Sequence, residues 1–313
     1  MHFAYPPRKS SDPPPFRPRS TRFPLLRKAR LRTIGLILVA ILGLVWLLSG
    51  RSQEEVYQEH VPTGEPPIVI VTVIDPRSYS ASYLRSVQEN RRQYAEKHGY
   101  ETFIVEAQDY DTKGYQQSWA KVMAMRHALS KYPNANYIWH LDQDAFIMEP
   151  SRKVEEVVAD PRVLESLMIR DHPVVPPDSI IKTFKHLKGQ EAAMIISQDN
   201  DGLVADSVLL KTGDWARYVT ETWMDPLYMS YNFQKAERHA LEHIVQWHPT
   251  VLSKIALVPQ RTMASYAHTN LGEGYREGDF VVMLKGCTVA GESSCEKESQ
   301  WYWQRFRELI VQM

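Results

Sequence analysis

The sequence has few cysteines, no net charge and no glycine-rich nucleotide motif. Two cysteines in 313 residues are too few for a disulfide scaffold or a four-cysteine zinc site. No G-x-G-x-x-G follows the first apolar run, where Asp75-Pro76-Arg77 stands, and no G-x-x-x-x-G-K-[ST] occurs. Those absences count against a nicotinamide oxidoreductase and a P-loop ATPase. No N-x-[ST] acceptor is present, so no N-glycan is expected on the body. The 37 Lys and Arg balance the 37 Asp and Glu, and 43% of residues are hydrophobic. Such a composition excludes wholesale disorder, collagen and a multi-span transporter.

The balance hides an asymmetry. Residues 1–50 carry nine basic residues and one acid, Asp12, which leaves +8 there and −8 over residues 51–313. Residues 1–30 hold seven of the twenty prolines and read as a disordered, cytosolic tail. Ile34 to Leu48 is a fifteen-residue run without charge. Extended to Leu31 and Gly50, with Arg32 snorkelling, it reaches the length of a spanning helix, about 20 residues. A core helix would show a polar face, and a signal peptide would have a shorter basic region and a small-residue exit. The expectation is an uncleaved anchor over 31–50 and a stem over 51–67. By the positive-inside rule the tail stays cytosolic and the body is lumenal, in type II orientation. The short span suits the thin bilayers of the early secretory pathway, hence the Golgi membrane. An acidic body argues against nucleic-acid binding.

The body, 68–313, reads as one α/β domain. Ile68 to Ile74 is a β-branched apolar run that suits a doubly buried strand. Leu84, Val87, Tyr94 and Ala95 recur at helical spacing up to a stop at Gly99. A strand at Thr102–Val105, a helix striped by Trp119, Val122, Met123 and Leu129, and a strand at Tyr137–Leu141 follow. That alternation predicts a mostly parallel, Rossmann-like sheet with right-handed crossovers. Further strands are expected near Ala193–Ile196, Val208–Leu210, Ile255–Val258 and Phe280–Leu284. Further helices are expected near 151–167, 213–224, 234–247 and 297–311.

Asp142-Gln143-Asp144 follows the third strand directly. A D-x-D there places two carboxylates at the sheet edge where open α/β folds bind ligands. Two hard oxygen donors suit Mn²⁺ or Mg²⁺ carried with phosphate oxygens. The plainer reading is a pair of acids in a strand-exit turn.

Ser118-Trp119-Ala120-Lys121, Tyr132-Pro133 and Y137-I-W-H-L-D-Q-D-A-F-I-M148 together resemble glycosyltransferase family 34, as does R85-S-V-Q-E-N-R-R-Q-Y-A-E-K-H-G-Y100. That family contains fungal α-1,2-galactosyltransferases, α-1,6-mannosyltransferase subunits of mannan polymerase, and plant xylosyltransferases. Q246-W-H-P-T-V-L-S-K-I-A-L-V-P-Q-R261 most resembles the mannan polymerase subunits, the second of the two in particular. The resemblance implies a GT-A fold, a nucleotide-sugar donor and retention of anomeric configuration. It places Asp142 and Asp144 on the metal-binding acids and Lys121 on a basic position that contacts donor phosphate. Asp199 falls near the segment binding acceptor and donor sugar, and Glu237 near the acid before the helix over the sugar. The implied donor is GDP-mannose, with UDP-galactose as the alternative. The implied acceptor is mannan or an N-glycan outer chain. The implied partners are other mannosyltransferase subunits, and a non-catalytic structural subunit is the rival role.

Three departures stand out. The family's metal-binding His is replaced by Met283, whose thioether is a poor ligand for Mn²⁺. Water, His268 or a partner subunit are the substitutes for that imidazole. Arg238 stands where the xylosyltransferases carry Gln, and Val204 and Asp206 stand where many members carry Asn and Gly. Other patterns carry less. H239-A-L-E-H243 matches an inverted zinc-protease motif, but Ala236, Leu241, Ile244 and Val245 stripe the same helix as a packed face. Cys287 and Cys295, eight apart, suit a disulfide in an oxidising lumen, with two free thiols as the alternative. Trp301, Tyr302, Trp303 and Phe306 read as core or interface before sugar groove.

Overall fold

The computed structural model describes residues 35–44, 66–175, 179–270, 272–291 and 294–312. The chain divides into two compact units, Met1–Val61 and Pro62–Met313. In the first, residues 35–44 form an exposed helix, α1. Half of the expected anchor, all of the tail and most of the stem lie outside the described residues. Among the described residues no helix is long and apolar enough to cross a membrane.

The second unit begins with β1 (Ile68–Ile74), every residue of which is buried. Ser80 then caps α2 (Ala81–His98) by accepting from the Tyr83 N–H, and Gly99 ends it at φ +68°. β2 (Glu101–Glu106), α3 (Ala120–Lys131) and β3 (Tyr137–Leu141) follow, all three near their expected places. The next segment, expected as one helix, breaks in two. A π-helical turn spans Glu155–Ala159, and α4 (Pro161–Leu167) restarts with Pro161 in its first turn and Asp160 as cap. Proline has no N–H to continue the earlier turn but tolerates a helix start.

The central sheet runs β2-β1-β3-β6-β5-β7, where β5 is Met194–Asp199, β6 Gly202–Lys211 and β7 Ile255–Val258. β1 pairs parallel with β2 and β3, and β5 parallel with β7. β6 runs antiparallel to both β3 and β5, so the sheet is mixed. Only Asn200 and Asp201 connect β5 to β6, and so short a loop can form only a hairpin. A second sheet, β4-β9-β8, joins Ala145–Ile147, Val281–Met283 and Ser265–Tyr266. The strand expected at Phe280–Leu284 belongs to this small sheet.

Alternation along β1 sends Val69, Val71 and Val73 to one core and Ile68 and Ile70 to the other. The first core is closed by α3, α5 (Asp214–Trp223) and α7 (Ala236–Trp247), through Met125, Trp223 and Leu241. The second is closed by α2, the small sheet, α9 (Gln260–Met263) and α10 (Cys295–Val311), through Tyr94, Met283, Met263 and Phe306. Each such fully buried side chain contributes about 1.5–3 kcal/mol. Two short helices, α6 (Pro226–Ser230) and α8 (Pro249–Leu252), flank α7. Cys287 and Cys295 form a disulfide that ties the segment after β9 to the start of α10. Of the C-terminal aromatics, Phe306 is buried and stacks on Trp303, whereas Trp301 is exposed.

Candidate active site

The D-x-D turn is held from three sides. The Asp142 N–H donates to the Asp206 carbonyl at 2.9 Å, which continues the β3–β6 ladder by one bond. Arg91, fully buried on α2, donates to the carbonyls of Asp142 at 2.8 Å and Ala145 at 2.7 Å. Its burial lowers its pKa to about 10, still charged at any physiological pH. Gln143 turns toward the end of β1, where its side-chain oxygen accepts from the Asp75 N–H at 2.8 Å. Tyr83 binds the Gln143 carbonyl at 2.8 Å, and the Leu284 N–H binds the Asp144 carbonyl at 2.8 Å. These contacts fix the turn's backbone, while the Asp142 carboxylate accepts from the Gln143 N–H at 2.7 Å and from Lys121.

Lys121, in the first turn of α3, is the hub beside it. Its Nζ lies 2.7 Å from Asp142 Oδ2, 2.8 Å from Asp206 Oδ1 and 3.2 Å from Glu237 Oε1. Burial opposes the charge on Lys121, but Asp142, Asp206 and Glu237 outweigh it and hold the ammonium well above its usual pKa. For Asp206 burial pushes the pKa up, and Lys121 and Lys285 more than reverse it. Asp144 goes the other way. Burial, then the neighbouring Asp142 and Asp206 carboxylates, raise its pKa to about 8. One Asp144 oxygen is shielded from solvent and has no hydrogen-bond partner, and the same holds for Glu237 Oε2.

Asp199 ends β5 at the centre of a second cluster. It accepts from Arg238 Nη2 at 2.6 Å, the Tyr266 hydroxyl at 2.6 Å, Lys285 Nζ at 3.1 Å and the Asp201 N–H at 2.8 Å. Lys285 also lies 3.9 Å from Asp206 Oδ2, which links the two clusters into one row of alternating charge. Burial raises the Asp199 pKa, but the Tyr266 hydrogen bond and the Arg238 and Lys285 charges bring it below the usual value. Of the five residues expected from the sequence, Lys121, Asp142, Glu237 and Asp199 are joined by this network of ion pairs, and Asp144 lies next to it under the field of Asp142 and Asp206. A cavity of about 270 Å³ opens beside it at the ends of β1 and β3, lined by Asp75, Tyr79, Gln117, Lys121, Asp142 and Gln143.

The sequence reading missed Asp206, Lys285 and Tyr266 as members of the site. A lone acid in the buried strand β6 was the available signal for Asp206. Met283 is buried in the apolar core beside Ala145, its partner in the ladder. His268 does not replace the imidazole: it is half-exposed and bonds Glu298 at 3.0 Å. The zinc-protease pattern on α7 also fails as a site. Glu242 turns inward to the Leu203 N–H and Arg238, while His243 packs among Tyr228, Tyr231 and Phe233.

Among the described residues no three His, Cys, Asp or Glu side chains form a self-sufficient metal cage. The donor set does fit a hard divalent cation that shares its coordination with phosphate oxygens. Asp142 and Asp144 supply carboxylates, and the shielded, unpartnered oxygen of Asp144 is the kind of atom such an ion satisfies.

Residues 64–294 match the profile of the galactosyl transferase GMA12/MNN10 family. An uncharacterized alpha-1,2-galactosyltransferase of Schizosaccharomyces pombe is 33% identical over 231 residues, 73% of this chain and 70% of that protein. The probable alpha-1,6-mannosyltransferase MNN11 of Saccharomyces cerevisiae is 29% identical over 267 residues, 78% of this chain and 63% of that protein. The chain likewise spans only 58% and 59% of two further Schizosaccharomyces pombe alpha-1,2-galactosyltransferases. The crystal structure of a glycosyltransferase involved in glycosylation of the major capsid of PBCV-1 aligns at a TM-score of 0.51 and 12% identity, covering 79% of this chain and 100% of that one. That likeness shows the fold, an α/β glycosyltransferase fold of the GT-A type with a mostly parallel, mixed sheet.

Proposed function

The chain belongs to the galactosyl transferase GMA12/MNN10 family, glycosyltransferase family 34, and on that premise we propose that it is a retaining hexosyltransferase. Its donor is GDP-mannose, and it extends an α-1,6-linked mannan or N-glycan outer chain as one subunit of a mannosyltransferase complex. The observation that carries the reading is the charge row from Asp142 through Lys121, Asp206 and Lys285 to Asp199, set beside a cavity at the strand ends. The match to MNN11 over 267 residues supports mannose. The 33% identity to an alpha-1,2-galactosyltransferase supports UDP-galactose as the second reading.

Asp142 and Asp144 would hold Mn²⁺ or Mg²⁺ together with the donor diphosphate. When bound, the ion supplies Lewis-acid neutralisation of the leaving group. Lys121 keeps Asp142 and Asp206 oriented and adds positive charge next to the diphosphate. The bond between the sugar C1 and the diphosphate oxygen breaks, and the acceptor hydroxyl attacks C1 from the same face. Its proton passes to the departing diphosphate oxygen, so no protein base is needed. Asp199 and Glu237 would supply the carboxylates that stabilise the positive charge developing on the ring. Residues 31–50 anchor the chain in the Golgi membrane with the body lumenal.

The test uses the full-length chain in detergent with a mannan-type acceptor, GDP-mannose or UDP-galactose, and Mn²⁺ present or chelated. Transfer of mannose that is lost in Asp144→Ala, while complex assembly persists, is the expected result. Galactose transfer would replace the donor. Normal polymer with Asp144→Ala would leave the chain a structural subunit and sink the enzymatic reading.

A further inference from the structure

In the charge row Lys285 is a cation that its present partners can spare. Lys285 follows β9 by two residues, and its Nζ lies 3.1 Å from Asp199 Oδ2, 3.2 Å from the Tyr266 hydroxyl and 3.9 Å from Asp206 Oδ2. Asp199 keeps three other donors when that ammonium is taken away: Arg238, Tyr266 and the Asp201 N–H. Asp206 keeps Lys121 at 2.8 Å. Releasing Lys285 therefore strands no buried charge, which is the expensive outcome in a low-dielectric site. Lys121 differs on each count. It is bound by three carboxylates, its side chain is only 8% exposed against 20% for Lys285, and its departure would leave Asp142, Asp206 and Glu237 facing one another.

We propose that Lys285 is a catalytic residue whose ammonium leaves Asp199 and binds the phosphate oxygens of the nucleotide-sugar donor. The proposal rests on the donor reading given above. A lysine is a compact point charge on a flexible four-carbon stem, so it can move between a carboxylate and a phosphate without rebuilding the backbone. Negative charge accumulates on the diphosphate as its bond to the sugar breaks, and a cation placed there lowers the barrier. β9 offers no ligand at Met283, which is buried in the core, but delivers this ammonium two residues further on. The same movement opens one acceptor position on Asp199 Oδ2, which Tyr266 continues to orient, coupling donor entry to preparation of the sugar subsite.

Calorimetric titration of the full-length chain with GDP, UDP, guanosine and uridine, in Mn²⁺ buffer, tests this. Wild type is compared with Lys285→Met and Lys285→Arg, and each protein is also melted thermally. Loss of one charged contact predicts roughly 10- to 100-fold weaker binding of the preferred nucleoside diphosphate in Lys285→Met. Nucleoside binding and the melting midpoint stay unchanged, Lys285→Arg recovers part of the affinity, and the salt dependence of binding flattens in Lys285→Met. Equal diphosphate binding by wild type and Lys285→Met overturns the proposal. So does parallel loss of nucleoside binding and thermal stability, which marks a structural lysine. Failure of wild type to bind either diphosphate overturns the donor reading itself, and this assignment with it.

Discussion

His140 shows how much a single side chain in this site is worth. It lies on β3, fully buried, beside Lys121 and the cavity, and its ring nitrogens have no partner beyond a weak contact with the Val71 backbone. Burial first, and then the Lys121 charge, lower its pKa from 6.5 to about 4. A depressed histidine pKa gives stability that is complete above the unfolded value and is lost as pH falls through the folded one. The window is therefore between pH 6.5 and about 4. By linkage the loss amounts to roughly 3 kcal/mol. His140→Leu removes the titration without stranding a partner. Urea midpoints of the full-length chain at pH 7 and pH 4.5 should fall less in the variant than in wild type. An identical drop in both would rule out a neutral, buried His140. Legibility at this scale followed context. Asp142 and Asp144 could be read because they end an apolar strand, where ligands gather. Lys285 could not, because it is a lone charge beside an apolar run, and Asp206 showed only as an unexplained acid inside a buried strand. Asp206 acquires meaning only when β6 pairs with β3 and sets Ser207 opposite Leu141.

At the level of elements, the β5–β6 hairpin decides the geometry of the second cluster. Its turn delivers Asp199 to Arg238 and places Gly202 at φ +130° against the Glu242 carboxylate. A Cβ at residue 202 would both strain the backbone and displace Glu242, which accepts from the Leu203 N–H at 3.0 Å. Gly202→Ala should cost about 1–3 kcal/mol in urea unfolding. It should also weaken donor turnover, since Glu242 orients Arg238. Wild-type stability in that variant would show that the hairpin relaxes freely. The disulfide gives a second elemental test. Cys287–Cys295 closes a loop at the start of α10, and Cys295→Ser should lower stability by about 2–3 kcal/mol under oxidising conditions. No effect would mean that the helix cap at Ser294 and the packing of Phe306 hold α10 alone. The periodicity of the sequence located the longer elements, since each buries a face of matching period, and left out the short strands β4 and β8 and the short helices α6, α8 and α9. It missed the reversal of β6 because strand direction is set by the two-residue loop before it and by no pattern inside it. It also passed over Pro161, where local chemistry overrides a helical stripe.

For the whole molecule, the open matter is where the body works. The charge asymmetry between residues 1–50 and the rest, and the uncharged run at Ile34–Leu48, motivate a lumenal body behind a membrane anchor. The sequence lacks any N-glycan acceptor, so the usual reporter of lumenal exposure is silent and can be installed at will. Asn232-Phe233-Gln234 supplies the place. Asn232 and Gln234 are both exposed, in the short connection between α6 and α7. Gln234→Thr completes an acceptor there with no buried group disturbed. Expressed in a fungal host, this variant should gain a glycosidase-sensitive mass step that wild type lacks. The full chain should sediment with membranes and resist alkaline extraction. Protease added to sealed vesicles should shorten the chain only by its N-terminal tail, and should reach the body only after detergent. An unmodified Asn232 combined with a body cut in sealed vesicles would place the site in the cytosol. The donor would then be drawn from the cytosolic pool, and neither an oxidising compartment for Cys287–Cys295 nor a lumenal glycan acceptor would be available to it.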